Sequence, residues 1–146
     1  MLSPSPIQLI RLVLSYLVMK DPEHRIYVDH STERLHTLVH HVQMEFGHLF
    51  LELRSLHFQT QGAFPYSSEL SDVMSNLVQT GKFEGNFREW KRIAWYPDSE
   101  KVITEELEEF WAEGGEGENI ERNFITLAER FRVIVKGEEE IRSFKS

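Results

Sequence analysis

The sequence predicts an α+β fold: a mostly helical single domain in which a winged-helix-like helix is followed by a small antiparallel hairpin. Three observations carry that expectation. Five segments carry helix signals, in most of them apolar residues at the 3.6-residue period. One run, residues 83–96, is instead rich in aromatics around the turn pair Gly85-Asn86. Finally, the chain has 146 residues, 40% of them hydrophobic, and no cysteine. A domain of that length buries roughly 68–70% of the surface its unfolded chain exposes, so one core suffices without a disulfide or metal staple.

The first helix covers residues 7–18, with Ser5 as N-cap and Pro6 in the first turn. Its apolar residues Ile7, Leu9, Ile10, Leu12, Val13, Leu14, Leu17 and Val18 go almost all the way round, which predicts either deep burial or a homodimer seam. Asp21-Pro22 ends it, because a residue before proline is pushed out of the helical region. A short extended piece at residues 25–28 follows. Ser31 is placed to cap a second helix with Leu35, Leu38, Val39, Val42 and Phe46 in period and Gly47 as its stop. A strand is expected at residues 56–61, then a turn over 61–65. Ser67 or Ser68 caps a third helix whose stripe is Leu70, Val73, Met74, Leu77 and Val78, closed by Gly81. After the hairpin, Thr104 is expected to cap a fourth helix, with Glu105 and Glu106 at the positive end of its dipole. A glycine-rich connection over 114–117 leads to a last helix from Asn119, carrying Phe124, Leu127, Ala128, Phe131 and Ile134. The whole chain, 1–146, reads as one globular domain with an acidic helical extension over 102–146.

Several chemistries are excluded. Without cysteine there is no disulfide framework, thiolate zinc site, iron–sulfur cluster or cysteine nucleophile. The net charge of −8 opposes general polyanion binding. It divides as −3 over residues 1–81, +1 over 82–101 and −6 over 102–146, so the exclusion is weakest around the hairpin. The longest apolar stretch, residues 7–19, is broken by Gln8, Arg11 and Ser15, too short to span a membrane and lacking a secretory signal's charge and cleavage pattern. A cytoplasmic protein without membrane contact is expected.

Among polar constellations, His36 and His40 are spaced i, i+4 with Glu33 a turn earlier, the weak outline of a metal site that would support a metal-dependent enzyme. A helix-borne pair leaves half the coordination sphere empty, so structural histidines are the plainer reading. Ser67 and Ser68 stand where helix caps belong and lack the Gly-x-Ser-x-Gly elbow that exposes a nucleophile. No phosphate-binding glycine loop is present. The hairpin mixes Lys82, Arg88, Lys91 and Arg92 with Phe87, Trp90, Trp95 and Tyr96, a combination that can hold phosphates while stacking bases. Glu84 and Glu89 interrupt it. The third helix presents Ser68, Ser71, Asp72, Ser75 and Asn76 opposite its apolar stripe. A helix of this kind before a hairpin has winged-helix order, but it carries no cation to anchor phosphates, and a protein-contacting face is the better expectation.

The runs Arg34-Leu35-His36-Thr37-Leu38-Val39-His40-His41-Val42-Gln43, then Leu56-His57-Phe58 through Phe64-Pro65-Tyr66-Ser67-Ser68-Glu69-Leu70, then Leu77-Val78-Gln79-Thr80-Gly81 resemble the YwgA and Panacea-type group of small bacterial domains over residues 31–83. Thr37, His40 and Phe64 depart from the lysine, tyrosine and glycine usual there. The resemblance implies a helical domain with a winged-helix-like element, used in the Panacea group as an antitoxin or regulatory module, and implies no catalytic residues. The expected function is therefore a non-enzymatic protein-interaction or regulatory module without a cofactor. A winged-helix DNA-binding regulator and a histidine-based metal enzyme are the alternatives.

Overall fold

The structure, a computed structural model, describes residues 6–29, 31–79, 83–85, 90–94, 97–113 and 118–137. The domain is α+β and mostly helical. Helix α1 (Pro6–Lys20) is its centre. Leu12, Val13, Leu17 and Val18 are fully buried, each worth roughly 1.5–3 kcal/mol of transfer free energy. The helix packs on three later helices of its own chain, α4 (Ser68–Gln79), α5 (Pro97–Glu113) and α6 (Glu118–Arg130). Of the two outcomes expected of α1, deep burial or a homodimer seam, the described residues show burial: packing within the chain covers its apolar faces. Arg11 reaches out of the same helix to pair with Glu106 of α5. The cap expected at Ser5 lies outside the described residues.

Asp21 breaks α1 as expected, its Oδ2 accepting the backbone N–H groups of Glu23 (3.0 Å) and Arg25 (3.3 Å). His24 takes a left-handed φ of 54° to complete the turn. The extended piece is strand β1 (Arg25–Asp29), with Ile26, Tyr27, Val28 and Asp29 all buried. The expected hairpin forms from β2 (Phe83–Gly85) and β3 (Trp90–Ala94). It is also half of a larger sheet: β1 pairs antiparallel with β3 on one side and with β4 (Val135–Gly137) on the other, giving the order β2-β3-β1-β4. The helix α4 is thus followed directly in the chain by the β2–β3 hairpin.

Helix α2 (Thr32–Phe46) buries Leu35, His36, Val39, Val42 and Phe46. Ser31 stands at its N-cap without a side-chain capping bond, and its backbone N–H donates to Asp29 Oδ1 at 3.0 Å. Gly47 ends the helix in right-handed geometry, and a Cβ there would come within 2.5 Å of Gln43 O. The strand expected at 56–61 reduces to a single bridge between Gln59 and Tyr66. Gln59, Thr60 and Gln61 are exposed polar residues, and the chain turns back over Gly62 too soon for a second pair. A short helix, α3 (Leu51–Arg54), precedes it. Ser67 is the cap of α4, its Oγ accepting Leu70 N–H at 3.2 Å. The Gly81 stop and the 114–117 connection lie outside the described residues.

Helix α5 begins at Pro97, one full segment before the expected Thr104 cap, because proline suits a first helical turn. Thr104 is mid-helix and its Oγ1 donates to Met19 Sδ at 3.4 Å. The acidic C-terminal part is not an appendage. Phe124, Leu127 and Ala128 of α6 are fully buried, and Phe124 is ringed by Tyr16, Phe110 and Trp111 at centroid distances of 5.8, 5.9 and 5.7 Å. A 3-10 turn (Phe131–Val133) then leads into β4. No helix among the described residues is long and apolar enough to cross a membrane.

Candidate functional site

The polar residues of α4 divide into two sets. Ser68, Asp72, Ser75 and Asn76 are exposed and form an open face. Ser71 turns inward, its Oγ 3.1 Å from Tyr66 Oη and 3.5 Å from His36 Nε2. His36 is only 2% exposed, covered by the 58–67 segment that folds over α2. Its ring stacks on Tyr66 at 4.7 Å with an interplanar angle of 2° and meets the edge of Phe58. Its Nδ1 accepts the buried backbone N–H of Ser67 at 3.0 Å. Burial holds its protonation below the ordinary histidine range.

That geometry decides two alternatives. An Nδ1 that accepts leaves the proton of the neutral ring on Nε2, so the atom facing Ser71 is a donor and cannot activate the hydroxyl. Both nitrogens of His36 are engaged and His40 packs against Phe58 at 5.0 Å, so the i, i+4 pair does not converge on an ion. Among the described residues no three His, Cys, Asp or Glu groups are placed to hold a metal. Ser67 is likewise committed, donating to Glu69 Oε1 at 3.0 Å while it caps α4. Glu69 Oε1 also accepts His57 N–H at 2.8 Å, and these bonds hold its carboxyl below the usual range.

Of the hairpin cations, Lys82 and Arg88 lie outside the described residues. Lys91 stands opposite Val28 and Gly85, and Arg92 opposite Tyr27 and Glu84.

A separate surface feature lies on the other side of α2. A groove of about 700 Å³ runs between α2 and the end of α6. From α2 it takes two parallel rows, Glu33, Thr37, His41 and Glu45 beside Arg34, Leu38 and Val42. Arg130, Val133 and Ile134 form the opposite wall. The helical rise makes the Glu33-to-Glu45 row about 18 Å long. Each end is fastened by an ion pair. Arg34 meets the buried Asp29 at 2.7 Å, and Arg130 grips Glu45 through Nε and Nη2 at 2.9 and 2.8 Å. Those pairs hold the carboxyls of Asp29 and Glu45 low, Asp29 despite its burial. Val133 is 74% exposed at the lip, an apolar side chain facing solvent beside the half-buried Leu38.

Leu38, Val42 and Ile134 were expected as helix-stripe residues and Glu33 as a companion of the histidine pair, but the sequence did not bring them together as a groove. Comparison with protein-family models, with curated proteins and with solved structures returns no match for this chain.

Proposed function

We propose that this chain is a cytoplasmic, non-enzymatic protein-interaction or regulatory module of the antitoxin-like kind that the resemblance over residues 31–83 suggests. In this reading it holds an amphipathic helix of a partner protein along the α2–α6 groove. The observation that carries the reading is the groove itself: an apolar floor of Leu38, Val42 and Ile134, a lip of exposed Val133, and a length of about 18 Å, three to four turns of a docked helix. Arg34 and Arg130 are already neutralised by Asp29 and Glu45, whereas Glu33 is exposed on the rim of a chain carrying −8. The fitting partner therefore flanks its apolar stripe with Lys or Arg.

The test is affinity capture from the source cells with the parent chain and with Val133→Asp, followed by footprinting of the retained complex. The expected result is one protein retained by the parent, protecting residues 33–45, and released about tenfold more readily by the variant, equivalent to about 1.4 kcal/mol. Equal retention by both chains, or protection confined to α4, overturns the groove reading. The winged-helix-like order favours a second reading, DNA binding through α4. Retention of duplex DNA in place of protein selects it.

A further inference from the structure

We propose that a second hollow, separate from the α2–α6 groove, binds the phosphate group of a small phosphomonoester. It measures about 620 Å³ and lies where the end of α2, α3 and the segment after α3 meet. Its working residues are Arg54, His48 and His57 around the mouth, Leu56 and Phe58 as an apolar floor, and Gln43 in the wall.

Charge is the first argument. No carboxylate lines this hollow, in a chain with 24 acidic against 16 basic residues. Arg11, Arg34, Arg130 and Arg132 are each ion-paired with a carboxylate. Exposed Arg54 has no such partner among the described residues, and its guanidinium is available to an incoming anion. Glu69 Oε1 lies 3.8 Å from His57 Nδ1 and already accepts hydrogen bonds from His57 N–H and Ser67 Oγ. It positions the His57 backbone at the rim without filling the hollow.

Pre-organisation is the second argument. Gln43 Nε2 donates to both Leu53 O (2.7 Å) and Leu56 O (2.6 Å), fixing the α3 end of the wall before any ligand arrives. At the carbonyl end of α2, Gln43 O accepts Gly47 N–H and Phe46 O accepts the N–H groups of Leu49 and Phe50, so these two carbonyls are already bonded. Gly47 is required there by the backbone, since a Cβ on it would come within 2.5 Å of Gln43 O.

The ligand class follows from the donors and the floor. A guanidinium fork with two imidazoles offers more hydrogen-bond donors than one carboxylate uses, and suits the three terminal oxygens of a phosphomonoester. Buried Leu56 and half-buried Phe58 give an aromatic or aliphatic body a surface to cover, and the hollow is larger than phosphate alone requires.

The experiment titrates the full chain with phenyl phosphate, inorganic phosphate and benzoate, following the His48 and His57 ring signals and the Arg54 side chain by NMR. Phenyl phosphate is expected to saturate, binding several-fold tighter than either inorganic phosphate or benzoate. Arg54→Ala is expected to weaken it about tenfold or more, as is the His48→Ala, His57→Ala double variant. Both change exposed side chains, and unaltered thermal midpoints show that folding is intact. Shifts that do not saturate, equal affinity in Arg54→Ala, or benzoate binding as tightly as phenyl phosphate overturn the proposal. A phosphotyrosyl peptide binding more than about tenfold tighter than phenyl phosphate overturns the assignment to a small ligand and places the phosphate on a protein.

Discussion

His36 ties α2 to the start of α4, and removing that tie has a calculable cost. His36→Leu keeps the apolar volume but leaves the buried Ser67 N–H without the acceptor it has at 3.0 Å. An orphaned buried donor costs about 1–3 kcal/mol, and loss of the stacked pair with Tyr66 about 0.5–1.5 kcal/mol. Together they lower stability by about 2–4 kcal/mol, a fall of about 6–12 °C in midpoint for a chain of this size. His36→Asn returns an acceptor oxygen near the place of Nδ1 and forfeits only the stacking, so its midpoint falls by about 3 °C. The same contact sets a pH dependence. Burial holds His36 below its ordinary value of 6.5, so between that value and its folded one the unfolded chain binds more protons. Its contribution is therefore complete above about 6.5 and is lost as pH falls from there toward the folded value. Asp29, Glu45 and Glu69 have lowered values instead, and their contributions are lost only below the ordinary carboxylate range. Thermal unfolding followed by circular dichroism across this range separates the two windows. Equal midpoints for the Leu and Asn variants would refute the hydrogen-bond argument, and a weakly acid slope persisting in both would refute the assignment of that slope to His36.

Two further predictions concern the core. Phe124→Ala empties a fully buried position between Tyr16, Phe110 and Trp111 and is expected to cost about 3–5 kcal/mol, read as the shift of a urea unfolding midpoint at constant slope. Burial pushes the Glu52 carboxyl up, so its charged form opposes folding once pH exceeds the ordinary value of 4.5. Glu52→Gln is expected to stabilise the protein at neutral pH by about 1 kcal/mol, with the gain shrinking to nothing on acidification in the same urea assay.

The legible parts of the fold are those in which local chemistry and tertiary packing agree. Leu35, Val39, Val42 and Phe46 mark α2, and Leu70, Val73, Met74 and Leu77 mark α4, because each set lies both in period and in the core. Asp21-Pro22 ends α1 by backbone sterics alone. Strand β4 was not legible: Val135, Lys136 and Gly137 are too few to display alternation, and only pairing with β1 makes them a strand. The first turn of α5 carries Asp98, Ser99, Glu100 and Lys101, with no apolar stripe to announce it. The site was harder to read than the fold. The i, i+4 spacing of His36 and His40 carries no sign that the loop carrying Phe58 and Tyr66 buries His36. The α2–α6 groove needs Val133 and Ile134, which chain connectivity places far from α2, so no local pattern on either helix implies it.

The order of elements and the distribution of charge bear differently on nucleic acid. A helix followed by a two-stranded wing is a DNA reader's order, and such a helix holds phosphates with cations or with the N–H groups of its first turn. Neither is on offer in α4. From Ser68 to Gln79 it contains no Lys or Arg, and Asp72 lies on its exposed face. Its positive end is occupied too: Ser67 Oγ takes the Leu70 N–H, His36 takes the Ser67 N–H, and Glu69 adds a carboxylate to the first turn. A phosphate approaching there meets a terminus whose leading donors are bonded and whose dipole faces a fixed negative charge. Helix α4 therefore supplies no phosphate anchors, whereas the groove between α2 and α6 combines enclosure with the exposed apolar lip of Val133. Those two observations are independent, one electrostatic and one steric, and both weigh toward a protein partner.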